Sequence, residues 1–501
     1  MRALSDDERH SAATAMNTDA SASGRRVAVV GAGITGLVTA WQLARQGVDV
    51  TLFEASGQAG GAIRTTHADQ FLAEHGPNSF VTSPAVEQLL ADLDLLDEVV
   101  EASRTANRRY VVRGGSLLPF PLSPLAMLGT SLFSLRAKLR VLLEPLVARG
   151  TASRDESIAA FVRRRLGSEV LDYAVDPFIS GIFAGDPEQL SLQHAFPRIH
   201  ELEQTHGSLS QGLMAQRRAA RAALKQTTGP STPADPSADE APERPASQGT
   251  RLISFLDGMQ SLTDALVAGL VGRVQLGCPV RLLHRDASHW LLEAGADGAV
   301  RTHTFDAVVM ATPAHVLAAM ELPGAMRTLT AAIDGVQYPP VSTLTLGFAR
   351  EDVAHPLDGF GMLLPARERR HLLGVLFNST LFPQRAPDGH VTITCFVGGA
   401  RAPQAAREET DLLVEQVLLD LRELLGIRGE PVFAHHVFWS RAIPQYTIGY
   451  AAVKSAAESA EAANPGLYLA GNYRHGVSVG DCVASGQQVA ARVESYLARA
   501  R

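Results

Sequence analysis

Gly31, Gly33 and Gly36, with Ala32, Ile34 and Thr35 between them, follow directly on the apolar run Val27 to Val30. They open an amphipathic stretch that reads as helix from Ile34 to Gln46. A strand running through GxGxxG into a helix suits a dinucleotide. Gly31 permits the tight turn, Gly33 lets backbone approach a pyrophosphate, and Gly36 lets the helix sit close on the strand. The helix N-terminus adds free amides and the positive end of its dipole for the phosphates. A second strand, Val48 to Phe53, brings Glu54 to where a carboxylate accepts both hydroxyls of an adenosine ribose.

The residues after Glu54 separate one dinucleotide from another. Gly60-Gly61-Ala62-Ile63-Arg64-Thr65 sets a second glycine pair before an arginine, and Glu74-His75-Gly76-Pro77-Asn78-Ser79 follows. A nicotinamide cofactor has no use for such groups at that distance. The longer ribityl-isoalloxazine arm of a flavin does, because it extends past the first βαβ unit and needs backbone donors along it. Near the other end, Leu467 to Ala470 reads as a short strand leading into Gly471-Asn472, then Gly476-Val477-Ser478-Val479-Gly480, then a helix from Ala484 to Ala498. A helix start placed against the ring stabilises negative charge on its pyrimidine side. The expected cofactor is FAD. Asn78 is the one polar side chain expected near the isoalloxazine, to steer or stabilise there or simply to shape a turn. No Ser/His/Asp arrangement or metal-ligand constellation is visible. The adjacent His435 and His436 fall on opposite faces of a strand and cannot line one site together.

These residues need a scaffold, and the chain has material for one. Its 501 residues, 46% apolar and 19% charged, suffice for two or three packed domains and exclude a chain disordered throughout or a polytopic membrane protein. Forty-five basic against 52 acidic groups, a net charge of −7, argue against nucleic acid as a partner. Cys278, Cys395 and Cys482 form no CxxC pair and leave an odd count, which suits a reducing, cytoplasmic setting. The opening elements have the βαβ rhythm of a parallel sheet. Further strands are expected at Ala307 to Ala311, Thr343 to Phe348 and Val391 to Val397. A helix capped by Ser83 with Pro84 in its first turn should turn Leu89, Leu90, Leu93, Leu96 and Val100 to the core. Residues 1–24 read as a disordered extension, with Met16 as a second candidate start. The stretch Gln226 to Thr250 reads as an exposed Pro-rich insertion. Just before it, Arg217, Arg218, Arg221 and Lys225 form a basic helical patch, either a solvated face or an anion site.

Several motifs, in order, resemble the oxygen-dependent, FAD-containing protoporphyrinogen oxidases of the amine-oxidase superfamily. They are Arg108 to Pro121 (RRYVVRGGSLLPFP), Asp176 to Pro187 (DPFISGIFAGDP) with His194-Ala-Phe-Pro197, Phe396-Val-Gly-Gly399, Ala442 to Thr447, and Asn472 to Val479. The resemblance runs from Arg25 to Leu497 apart from the insertion. It implies a Rossmann-like α/β FAD-binding domain from 25–88, 257–320 and 463–501, and a helical membrane-binding domain over 109–204. A mixed-sheet α+β substrate domain then takes 89–108, 205–256 and 321–462. It also implies FAD contacts at Ala55 and Val280, besides those at Asn472, Val477, Ser478 and Val479. The substrate would be a porphyrinogen, wide and apolar, with propionates on one side. Arg109 would pair a propionate through its guanidinium fork, and Leu363, Leu376 and Phe396 would clamp the pyrrole rings. Gly181 and Ala184 would form the turn beside the macrocycle. Read without the family, Leu363 and Leu376 are plain core. The implied reaction takes a hydride from a meso carbon and a proton from a pyrrole nitrogen, with dioxygen as final acceptor giving hydrogen peroxide, three times over. The alternatives are coproporphyrinogen as substrate, another superfamily oxidase such as an amine oxidase or carotenoid desaturase, and a non-catalytic FAD protein that binds porphyrin.

The run from Gly114 to Leu135 carries no charge over 22 residues. Pro119, Pro121 and Pro124 oppose a regular spanning helix there. With Arg136, Lys138 and Arg140 behind it, the run suits a protein lying on the inner face of a membrane, or else a segment buried in its own core. A homodimer is also admitted.

Overall fold

Arg26–Val30 is buried at every residue after the first and is flanked on both sides in a five-stranded parallel sheet. The order is Val274–Gln275, Asp49–Phe53, Arg26–Val30, Ala307–Met310 and Leu467–Leu469, so strands far apart in the chain meet around the first. A continuous apolar strand is what burial on both faces of a parallel sheet requires. One face is covered by the helices Ile34–Arg45, Gln260–Ala268 and Val479–Arg499, the other by the helices Arg327–Asp334 and Ala451–Ala463 with the antiparallel strands Val280–Arg285, Trp290–Ala294 and Arg301–Phe305. This computed structural model describes residues 25–151, 155–227, 250–296 and 299–499. The expected extension 1–24 and all but the ends of the Gln226 to Thr250 insertion lie outside them.

A second, mixed sheet has seven strands in the order Phe433–Trp439, Val341–Ala349, His390–Gly398, Leu372–Leu376, Gly359–Leu363, Arg108–Arg113 and Ser116–Pro119. One face packs on the 16-residue helix Thr410–Leu425. A set of helices between Pro124 and Thr227 gathers around Leu132, Phe161, Leu171, Ile179 and Phe183 and meets this sheet at Val111 and Leu363. The chain is thus a mixed α/β protein, and among the described residues no helix is long and apolar enough to cross a membrane.

Two expected helices have different bounds. Pro84–Asp92 starts as read, Ser83 accepting from the Val86 N–H, but it stops before the expected core stripe ends. Leu93 caps it, Asp94 takes a left-handed backbone (φ 56°), Leu96 falls in a 3-10 turn and Val100 in a strand. Apolar spacing alone carried the expectation past a turn made by an aspartate. The C-terminal helix runs Val479–Arg499 and begins five residues before Ala484, because Ser478 accepts from the Asp481 N–H and starts it there.

Candidate functional site

The glycine loop is shaped by contacts that admit no side chain. Gly31 has φ 101°, and a Cβ on Gly36 would lie 1.9 Å from the Gly31 carbonyl oxygen. At Gly33, by contrast, a Cβ would meet nothing within 4 Å, so the backbone there faces open space. The second glycine pair lies alongside. The Gly60 N–H donates to Ala32 O (2.8 Å), Gly33 and Gly60 bridge in parallel, and a Cβ on Gly61 would sit 3.2 Å from Gly33 Cα. Gly76 in turn backs onto Ala62, with 2.4 Å from its would-be Cβ to Ala62 O, and the His75 N–H donates to Arg64 O (2.9 Å). Three segments read separately along the chain, at 31–36, 60–64 and 74–79, therefore touch in succession.

Glu54 closes the second strand, and its carboxylate accepts from Ala32 N (2.8 Å) and from Ser56 N and Oγ (both 2.9 Å). Ala55 lies in the same turn. The Cys278 N–H donates to Glu54 O, which brings Val280, two residues on, to this end of the sheet. Thr35 spends its hydroxyl on Cys482 O (3.2 Å), pinning the C-terminal helix to the first helix and leaving only its backbone for a ligand. Asn472 and Val477 precede that C-terminal helix, whose first turn starts at Ser478 and Val479. The carboxylate of Asp481 accepts from Ser478 Oγ (2.6 Å), so part of the helix N-terminus is already occupied. These residues fit FAD on two observations independent of motif. The cradle at Gly33 is open, and Arg64 Nε is buried with no partner, as it would be where a phosphate belongs.

Expected substrate residues come together on one face of the seven-stranded sheet. Strand register pairs Arg109 with Gly361, Leu363 with Gly374, Gly361 with Leu376, Leu376 with Thr394, and Gly374 with Phe396. Paired residues share a face, and so do residues two apart. Arg109, Leu363, Leu376 and Phe396 therefore project from the same side of four adjacent strands. Their neighbours on the other side, Met362, Val375, Phe377 and Cys395, are fully buried, whereas Leu363, Leu376 and Phe396 are only partly covered. Core leucines would be covered on both sides. Arg109 is exposed, has no ion-pair partner among the described residues and lies 5.2 Å over the Phe360 ring, while its neighbour Arg108 is bound to Asp358. Gly181 abuts this face, where a Cβ would come within 2.6 Å of Leu363 Cδ2. Ala184 holds a left-handed backbone (φ 49°) and accepts at its carbonyl from the Ala400 N–H (2.8 Å).

The remaining motifs lock this turn to the flavin side. Gln445 Nε2 donates to Phe183 O (2.8 Å), Ser191 N to Tyr446 O, and Tyr446 Oη to Asn472 O. Asn78 is buried, and its Nδ2 donates to Gly76 O (3.2 Å). His435 and His436 do occupy opposite faces. His435 Nε2 lies 3.2 Å from His75 Nε2, and His436 meets Ser342 and Thr410. Burial lowers both His75 and His435 from the usual imidazole range, which keeps the pair neutral at pH 7.

Sequence reading missed three features of the site. Asn378, the first residue of the short helix that follows the strand Leu372–Leu376, donates to Asn78 Oδ1 (2.5 Å), a contact with no local signal in the chain. Thr345 and Thr394 share a hydroxyl hydrogen bond (3.0 Å) on the candidate face. Glu74, visible in its motif, pairs with buried Arg385 (3.3 Å), for which no local signal exists.

The model of flavin containing amine oxidoreductases matches residues 34–494. The mitochondrial protoporphyrinogen oxidase of Nicotiana tabacum is 35% identical over 498 residues, 96% of each chain. The coproporphyrinogen III oxidase of Bacillus subtilis (strain 168) is 28% identical, over 94% of this chain and 98% of its own. Among solved structures, one from Exiguobacterium sp. 255-15 superposes with a TM-score of 0.76 at 24% identity, covering 95% of this chain and all of that one. The cyclohexylamine oxidase of Brevibacterium oxydans IH-35A superposes with a TM-score of 0.66 at 16% identity, covering 95% and 99%.

Proposed function

This chain belongs to the flavin containing amine oxidoreductase family, and we propose that it oxidises protoporphyrinogen IX to protoporphyrin IX. Six electrons pass to three dioxygen molecules, giving three of hydrogen peroxide, in the supply of porphyrin or haem. FAD, when bound, supplies the hydride acceptor and its reoxidation by dioxygen. The observation that carries the substrate assignment is the sheet face on which Arg109, with no ion-pair partner among the described residues, stands beside partly covered Leu363, Leu376 and Phe396. An apolar slot with a single cationic anchor suits a tetrapyrrole carrying its carboxylates on one side. Asn78 stands as the polar group beside the ring, and the cofactor contacts are those on the touching loops 31–36, 54–55, 60–64 and 76–79, with Val280, Asn472 and 477–479. Coproporphyrinogen, with four carboxylates, is the second reading, favoured by the Bacillus subtilis relative.

Purified protein supplied with each porphyrinogen in air tests the assignment through porphyrin fluorescence and peroxide. Faster turnover of the four-carboxylate substrate would reverse it, and failure of substrate to bleach the flavin anaerobically would remove the enzyme reading altogether. Arg109→Ala is expected to raise KM for protoporphyrinogen by about 10- to 100-fold, the size of a charged hydrogen bond, with flavin content unchanged. Loss of flavin in that variant would show Arg109 to belong to the cofactor side.

The division read from the sequence puts FAD on 25–88, 257–320 and 463–501, the helical part at 109–204 and substrate on the rest, but Arg108–Arg113 and Ser116–Pro119 are strands of the seven-stranded sheet, so the helices begin only at Pro124. The helical part binds the membrane surface peripherally. Leu122, Leu125 and Leu128, and the stripe Leu135, Leu139, Leu142, Leu143 and Leu146, are exposed, Leu125 and Leu146 at 81% each. Among the described residues of the uncharged run only Leu132 and Phe133 are buried, while Leu117, Leu118, Phe120 and Met127 pack partly covered against the cores. Of the three expected cations Arg136 is exposed, and the other two are held by carbonyl oxygens, which orient them without neutralising them. Lys138 Nζ donates to Leu128 O (2.8 Å) and Thr130 O (2.7 Å), and Arg140 donates to Arg164 O. Changing Leu125 and Leu146 together to Glu is therefore expected to weaken binding to lipid vesicles by about tenfold or more, since inserting each leucine contributes ~1.5–3 kcal/mol. Unaltered partition of that variant would locate the contact elsewhere.

A further inference from the structure

Asn378 follows Leu376 by two residues and opens the short helix Asn378–Leu381 where that strand ends, and it is buried there against Asn78. Its amide orientation is forced by a short chain of hydrogen bonds. Gly76 O is a carbonyl and only accepts, so Asn78 must present Nδ2 to it (3.2 Å). That turns Asn78 Oδ1 toward Asn378, which must then donate through Nδ2 (2.5 Å). Asn378 Oδ1 is left buried without a partner among the described residues. A buried acceptor is left without a donor only at a cost, unless the donor arrives with a ligand.

We propose that Asn378 is a substrate-binding residue in which Nδ2 fixes Asn78 and Oδ1 accepts a pyrrole N–H of the porphyrinogen. This rests on the porphyrinogen reading above. The chemistry fits in one direction only. A porphyrinogen carries four pyrrole N–H donors, whereas the fully oxidised macrocycle keeps two, and a nitrogen that has lost its proton repels a carboxamide oxygen. An acceptor that cannot become a donor thus favours reduced substrate over product.

The test compares Asn378→Leu and Asn378→Ser with the wild-type holoenzyme, by KM, kcat, inhibition by added protoporphyrin, and the visible flavin spectrum. For Asn378→Leu, KM should rise about tenfold, the worth of one buried hydrogen bond, while the inhibition constant for protoporphyrin stays the same and the flavin spectrum is unshifted. Asn378→Ser, whose hydroxyl both donates and accepts, should return KM to within about twofold of wild type. An unchanged KM in the Leu variant with flavin bound overturns the proposal. So does a shifted spectrum or lost FAD in both variants, which would assign Oδ1 to the flavin. If Asn378→Leu fails to fold, a KM in Asn378→Ser raised as far as tenfold also overturns it. If wild-type enzyme turns over no porphyrinogen, it is the functional reading that has failed.

Discussion

Gly36→Ala is expected to yield protein without bound flavin and with an unstable N-terminal unit. The added methyl would sit 1.9 Å from the Gly31 carbonyl oxygen and 3.3 Å from Ala311 Cβ. Ordinary contact begins near 3.4 Å, so the helix or the strand must give way by about 1.5 Å (3.4 less 1.9), and the obstacle is backbone that no rotamer change can clear. Overpacking of this kind costs roughly 1–3 kcal/mol and sometimes more. The larger loss is geometric, because moving Ile34–Arg45 off Arg26–Val30 turns its first amides away from the phosphates. Gly33→Ala is the control. It has no contact within 4 Å, so it should fold normally and lose flavin affinity alone. Thermal unfolding and the flavin-to-protein absorbance ratio of both variants decide the matter. A flavin-replete, stable Gly36→Ala protein would mean that the helix does not pack as close as described.

Arg385→Met is expected to destabilise the protein by about 3–5 kcal/mol, the usual effect of stripping one partner from a buried ion pair. Arg385 is 1% exposed, donates from Nη2 to Ser254 Oγ (2.6 Å) and faces Glu74. Glu74 also accepts from Met259 N (2.9 Å) and Thr65 Oγ1 (2.7 Å), and so ties the loop carrying Asn78 to both the flavin unit and the second sheet. Burial already pushes the Glu74 carboxyl up and the Arg385 guanidinium down, each toward neutrality, against their mutual attraction. Without Arg385, Glu74 loses the influence that held it lower and titrates higher still. A folded pKa above the unfolded value of about 4.3 means stability that is present at low pH and lost as pH rises through the folded value. The deficit relative to wild type should therefore grow from a pH below the ordinary carboxylate range to one well above it. Denaturant midpoints at the two pH values measure it, and a deficit that does not vary with pH would remove Glu74 as the cause.

How far each feature was legible in the chain follows from the range of the interaction behind it. The Ser83 cap, the turn at Gly31 and the strand from Arg26 depend on neighbours a few residues away, and each was read nearly to its end. The stop at Asp94 and the early start at Val479 were misread. A single side chain set each boundary, while the apolar spacing around it continued. Leu363 and Leu376 had no local mark separating pocket from core. The alternation within a strand says which residues share a face, but not whether that face meets another sheet, a helix or open space.

By itself, then, the sequence determined the nucleotide-binding turn, the second glycine pair and the acidic residue that ends the second strand, hence the flavin. All of these lie within about fifty residues and are dictated by backbone conformation and hydrogen-bonding groups close in the chain. Only the tertiary structure decided the substrate face. Arg109, Leu363, Leu376 and Phe396 become neighbours through the register of four strands, and Asn78 meets Asn378 across 300 positions. Contacts at such separations are made when the sheets pack, and only then is the Asn378 oxygen left buried without a partner among the described residues.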